Sequence, residues 1–360
     1  MAYTTINNGK LYFNTKLYTG NGSDGNAQTG VGFQPNWVWI KERSTTNSYR
    51  LYNSISGVNA ALMSNDSVAE DQYAAYGQFE SFDSDGFTVG QGTGSPGNGA
   101  GTNANSATIV AWNWKAGTSF TNDASSTGIG SIDSTGSVNT DAGFSIVKWT
   151  VGSAVNGLAV AHSLGVAPKI IIYKRTNNSS DWYVWLNKVI DSSQDYLVLN
   201  TTSAKVDINS GTYGIPSSTL ISNFGFANTE MIAYCFAEKQ GYSKFGSYTG
   251  NGNADGTFIY TGFKPAFVMC KASSVGGSVG YAWSMFDNKR SSYNIERSQL
   301  EANTSDAQQT DASGDIDLLS NGFKFRNSAS ENNQSGATYI YMAFAENPFV
   351  TSTGVPATAR

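Results

Sequence analysis

The chain has 360 residues, 39% of them hydrophobic and 13% aromatic, enough to bury sizeable cores and to exclude wholesale disorder. Charged residues make up 14%, the net charge is −5 and no Lys/Arg cluster occurs, so a nucleic-acid footprint is excluded and no such partner is expected. Two cysteines exclude a disulfide scaffold, and one histidine excludes ordinary Cys/His zinc sites and most His-based triads.

The opening Met1-Ala2-Tyr3-Thr4-Thr5 has neither the basic nor the apolar region of a secretory signal. No apolar run approaches the length of a membrane span, so no membrane partner is expected. Tyr18-Thr19-Gly20-Asn21-Gly22 follows, and thirteen residues after Gly22 comes Pro35, in Gly32-Phe33-Gln34-Pro35. The next residues, Asn36-Trp37-Val38-Trp39-Ile40-Lys41, read as a strand begun by a turn, because proline can open a strand but not sit inside a central one. Asp85-Gly86-Phe87 reads as a hairpin turn, and Val110-Ala111-Trp112-Asn113-Trp114 as a closing strand with period-two alternation. Residues 118–140 are rich in Ser, Thr and Gly and read as a linker.

The same succession then repeats. Trp149-Thr150-Val151-Gly152 precedes Gly165-Val166-Ala167-Pro168 and its strand Lys169-Ile170-Ile171-Ile172-Tyr173-Lys174. The closing strand is Ile232-Ala233-Tyr234-Cys235-Phe236. A third copy runs from Tyr248-Thr249-Gly250-Asn251-Gly252 through Gly262-Phe263-Lys264-Pro265 and Ala266-Phe267-Val268-Met269-Cys270-Lys271 to Ile340-Tyr341-Met342-Ala343-Phe344. In every copy a Gly stands three before the Pro and a Lys six after it. Such repetition defines units at about 8–117, 141–241 and 242–350, with a tail at 351–360. Short strands, Gly/Asn turns and the lack of any helix-period segment make the expected fold all-β: three tandem antiparallel β-sandwich units of jelly-roll type. Trp112 and Phe344 are expected in the core.

Residues with chemical potential are read against plain structural roles. His162 is the only candidate general base of its kind, and no motif supplies the positioned partner that acid–base catalysis needs, so it reads as a turn or surface residue. Cys235 and Cys270 fall on strand positions and read as packed thiols. Asp83-Ser84-Asp85-Gly86 resembles the start of a calcium loop but lacks the distal ligands. Asn21 with Asp24, and Asn251 with Asp255, sit in loops that could turn the chain or ligate a cation; no metal or other cofactor is assigned. Asp66, Glu70 and Glu80 could supply the paired carboxylates of a hydrolase, although spacing alone cannot bring them together. Trp182, Tyr183 and Trp185, beside Asn177, Asn178, Ser179 and Ser180, are the candidate glycan contacts, offering aromatic faces next to directional polar groups.

Several of these segments resemble a repeat of bacteriophage virion proteins, marine phages included. They are Gly246-Ser247-Tyr248-Thr249-Gly250-Asn251-Gly252, Tyr260-Thr261-Gly262-Phe263-Lys264-Pro265, His162-Ser163-Leu164-Gly165-Val166-Ala167-Pro168-Lys169 and Tyr339-Ile340-Tyr341-Met342-Ala343-Phe344-Ala345-Glu346-Asn347-Pro348. The resemblance implies a concanavalin-like β-sandwich in tail fibres and other exposed structural proteins, and it carries no catalytic residue. It implies a non-enzymatic protein on the particle surface, made in the host cytoplasm, with other virion proteins as partners. By analogy with phage appendages a homo-oligomer, a trimer, is expected. A tail fibre or appendage subunit contacting host surface glycans leads. A capsid decoration or cement protein is the alternative, and a polysaccharide depolymerase the third reading.

Overall fold

The apolar runs behind Pro35, Pro168 and Pro265 form the strands Trp37–Glu42, Ile170–Arg175 and Phe263–Ala272. β-Branched and aromatic side chains favour the pleated surface. Pro35 and Pro168 stand ahead of their strands, where a missing N–H breaks no ladder, while Pro265 sits at a register shift within its strand. These strands belong to a computed structural model that describes residues 4–70, 79–93, 99–153, 157–208, 213–222, 226–277 and 279–348. The tail expected at 351–360 lies outside the described residues.

The chain is all-β, built of antiparallel sheets. One strand order recurs in three of them. The first sheet runs Phe13–Thr19, Thr108–Trp114, Trp37–Glu42, Arg50–Asn53, Gly57–Leu62. The middle sheet contains Phe144–Val151, Thr229–Phe236, Ile170–Arg175, Tyr183–Asn187, Gln194–Val198 in that order, and the third runs Ser243–Thr249, Thr338–Pro348, Phe263–Ala272, Ser284–Asp287, Leu300–Glu301. Register repeats as well: Trp37 faces Trp114, Ile170 faces Phe236 and Phe267 faces Phe344. The first sheet is accompanied by a three-stranded sheet of Asn26–Thr29, Gly86–Val89 and Phe79–Asp83, and the third by one of Phe258–Tyr260, Gly322–Phe325 and Ile316–Leu319. The middle one has a two-stranded counterpart, Ala159–Ala161 with Leu220–Ser222.

Residues 118–140, expected as a linker, are ordered structure instead. Thr118–Asn122 and Ser134–Asn139 pair with each other, and the second pairs with Phe144–Val151, so with Val206–Asp207 at its other edge the middle sheet has eight strands. Composition misleads here because Ser and Thr serve an outer strand as well as a loop: Thr118, Ser119 and Thr121 are exposed while Ser134, Gly136 and Ser137 are covered.

Large sheets buried on both faces explain why the Pro strands read as unbroken apolar runs. In the first sheet, Val38 and Ile40 pack with Phe79, Phe87 and Val89 of the small sheet, whereas Trp37 and Trp39 turn the other way. That other face meets its counterparts. Phe13, Trp37, Trp114, Phe144, Tyr234, Phe236, Phe267 and Phe344 form one core drawn from all three large sheets. Ring centroids of Trp37 and Tyr234 are 4.3 Å apart, those of Phe13 and Phe344 5.4 Å, and those of Phe236 and Phe344 5.9 Å. Trp112 and Phe344 are both buried there.

The repeated lysines close this assembly. Lys41, Lys174 and Lys271 are buried, and among the described residues none of them makes an ion pair. Each ammonium donates to backbone carbonyls near its own strand and to one on another sheet's segment. Lys174 reaches Ser67 at 2.9 Å, Lys271 reaches Thr202 at 3.3 Å and Lys41 reaches Ser305 at 3.0 Å. The second sheet thus holds the first, the third holds the second, and the first holds the third. Burial pushes all three ammonium groups down to about 8.

Candidate functional site

The aromatic platform expected at Trp182, Tyr183 and Trp185 is not a surface. Trp182 and Trp185 are fully buried. They belong to different cores, Trp182 to the shared one and Trp185 to the sandwich core of the middle sheet. The indole N–H of Trp182 donates to the carbonyl of Met63 at 2.8 Å, wedging the ring against the first sheet's segment, and that of Trp185 donates to Gln194 Oε1 at 2.7 Å. Tyr183 is half-buried against Tyr196 and Phe226. The physical reason is strand periodicity: positions three apart point to opposite faces, and both faces of this sheet are covered.

The loops of Asn21 and Asn251 are built alike, from a partner the sequence did not flag. The backbone N–H of Asn21 donates to Asn103 Oδ1 at 3.0 Å, and Asn103 Nδ2 donates back to Asn21 Oδ1 at 3.0 Å. Asn251 and Asn333 repeat both bonds at the same distances. Gly20 and Gly250 are required beneath them, since a Cβ would lie 2.1 Å from the Ala104 carbonyl and 2.4 Å from that of Gln334. Asp24 accepts from the N–H of Gln91, while Asp255 pairs with Lys324 and Arg326, whose hydrogen bonds and charges draw its carboxyl below the usual range. These side chains brace turns. Among the described residues no group of three or more His, Cys, Asp or Glu is gathered to hold a metal ion.

His162 is not at the surface but buried in its turn, with Nε2 donating to the carbonyl of Ser217 at 3.1 Å and Nδ1 accepting from the N–H of Leu164 at 3.2 Å. Burial pushes it down to about 4, so it is neutral near pH 7. Cys235 and Cys270 are buried free thiols, raised to about 12 by desolvation. Glu70 stands 3.8 Å from Lys148, whereas Glu80 accepts from the N–H of Gly25 at the other end of the small sheet's loop.

Two of the surface cavities among the described residues are walled by both charged and aromatic side chains. The larger, about 680 Å³, is walled by the added segment through Thr121, Ser131 and Asp133 and floored by Lys148, Trp149 and Glu230. Its Lys148 is held between Glu70 at 3.8 Å and Glu230 at 3.6 Å. The smaller, about 180 Å³, lies on the third sheet's side among Lys264, Asn288, Ser291, Tyr293, Asn294 and Glu296. Tyr293 is 84% exposed. It stands in Ser291-Ser292-Tyr293-Asn294, an aromatic among Ser and Asn, the same composition as residues 177–185. What distinguishes it is its place outside any strand, with no alternating apolar neighbours to draw it inward.

Residues 8–348 match a family model described as "Domain of unknown function (DUF7483)". No curated protein matches, and no solved structure matches.

Proposed function

The chain belongs to the DUF7483 family, and we propose that it is a structural protein of a bacteriophage particle, a tail fibre or appendage subunit exposed to the host surface and contacting its glycans. The observation that carries this is the direction of its aromatics: all eight tryptophans are buried, while the outer loops offer Asn, Ser, Thr and Gly. A chain that puts its large rings into buried cores and leaves hydroxyls and amides outside is a stiff, electrostatically quiet body. Such a body suits attachment among other virion proteins and directional hydrogen bonding to neutral sugars. Its repeats, of concanavalin-like β-sandwich character in this reading, act as scaffold rather than catalyst.

Burial of Trp182 and Trp185 favours a second reading, a capsid decoration protein, because it removes the broadest aromatic surface available for host contact. Immunogold labelling of purified particles with antibody to this chain separates the two. Label at the tail or its appendages supports the first, and label spread over the shell supports the second. Absence of the chain from purified particles overturns both.

A further inference from the structure

We infer that the pocket beside Tyr293 binds one sugar ring of a neutral surface polysaccharide, an inference that rests on the glycan-contacting reading above and gives it a site.

The pocket holds hydrogen-bond acceptors with nothing to accept. Glu296 is 1% exposed and pinned by backbone bonds to Ile316 in both directions, at 2.9 and 2.8 Å. Its Oε1 accepts from the N–H of Ser298 at 2.6 Å and the Ser298 hydroxyl also acts on the carboxylate, but its buried Oε2 meets no donor in hydrogen-bond geometry. The buried Oδ1 of Asn288 has none either, although the same side chain hydrogen-bonds Glu346. A buried acceptor left unmatched is costly, so a ligand bringing O–H donors to both atoms recovers what the fold forgoes.

The remaining walls fit the same ligand. Asn294 is fixed, donating to the carbonyl of Leu318 at 3.1 Å and accepting from its N–H at 3.0 Å, so the loop keeps its shape without a ligand. Lys264, half-exposed and 3.2 Å from Glu346, adds a donor at the side. Tyr293 at the rim offers a flat apolar face, and sugars present both hydroxyl donors and a C–H face. A volume of about 180 Å³ suits a single ring rather than a chain segment. A bare cation is disfavoured by Lys264 on the wall and by the Arg290 guanidinium acting on Glu296.

The test is saturation-transfer NMR and calorimetric titration of the full chain with neutral hexoses and N-acetylhexosamines up to tens of millimolar. Tyr293→Ala and Glu296→Gln are compared with Tyr260→Ala, an exposed aromatic that does not line this pocket, and thermal melts confirm that each variant folds. Wild type should bind at least one of these sugars. Tyr293→Ala and Glu296→Gln should each weaken binding about tenfold, and Tyr260→Ala should leave it unchanged. Sugar binding that survives both pocket variants overturns this site while leaving the glycan-contacting reading intact. No binding of any sugar, with only water answering the acceptors, overturns the site and the glycan contact together; the particle labelling judges the virion assignment separately.

Discussion

The Nζ of Lys41 donates to the carbonyl oxygen of Ser305 at 3.0 Å, joining the first sheet to the third across 264 residues of chain. Lys174 with Ser67 and Lys271 with Thr202 complete the circuit. A buried ammonium without a counter-ion is tolerated only if its protons are taken up, and here backbone carbonyls take them. Lys174→Met keeps the apolar stem, leaves the carbonyl of Ser180 without its donor and leaves that of Ser67 with only the N–H of Ser180. It should lower stability by about 2 kcal/mol, read as a shift of the urea midpoint. An unchanged midpoint means that the clamp contributes nothing beyond packing.

Phe344 lies where the large sheets meet, within 6 Å of Phe13, Trp114 and Phe236 by ring centroid. Phe344→Ala should cost about 3–5 kcal/mol and Trp112→Ala a similar amount. For Trp112 the loss includes the bond from its indole N–H to Asp287 Oδ2 at 3.0 Å. Because all three sheets share this core, denaturation followed by tryptophan fluorescence and by far-UV circular dichroism should give one coincident transition. Separated transitions contradict a common core.

His162 gives the acid side of the stability profile a defined slope. Its folded pKa is pushed from 6.5 to about 4, so as pH falls below 6.5 the unfolded chain takes up a proton that the folded chain refuses. The stability held above pH 6.5 is therefore lost down to pH 4, by up to about 3 kcal/mol. Protonation also removes the lone pair on Nδ1 that accepts from Leu164. Glu301, raised to about 7 by burial and then by Glu331, acts in the opposite direction over part of this range, so only a comparison isolates the histidine. His162→Gln should lose less stability than wild type between pH 7 and pH 4.5. Parallel curves for the two proteins refute the assignment.

Much of the fold was legible because it is written three times. Equivalent positions counted from Pro35, Pro168 and Pro265 fall at equivalent ladder positions, as the pairings Trp37–Trp114, Ile170–Phe236 and Phe267–Phe344 show. The recurring lysine was visible too, but its role was not, since its partners are carbonyls on segments up to 264 residues away. Asn103 and Asn333 were missed for the same reason: they brace the Asn21 and Asn251 loops from 82 residues downstream. At the candidate site the error ran the other way. Trp182 and Trp185 look like a platform in a linear reading, yet an odd spacing on a strand separates their faces. Only the packing of other sheets on both sides shows that neither face is open.

That packing carries the last prediction, on mass in solution. An association into trimers was expected by analogy with phage appendages, where three chains supply three copies of a fold around one axis. Here one chain supplies three sheets of like order, and the faces that a trimer of separate chains would bury are already buried against one another at Trp37, Phe236 and Phe344. Their opposite faces are covered in turn, as Phe79 and Phe87 cover the first sheet. No large apolar sheet face is left among the described residues to drive further association, and the exposed large apolar side chains stand singly or in pairs, such as Phe258 with Tyr260 and Tyr293 with Ile295. Multi-angle light scattering of the purified protein should therefore give the mass of one chain, 38.3 kDa, across a tenfold range of concentration. A stable mass three times larger shows that the outer polar surface itself associates, and restores the trimer of chains.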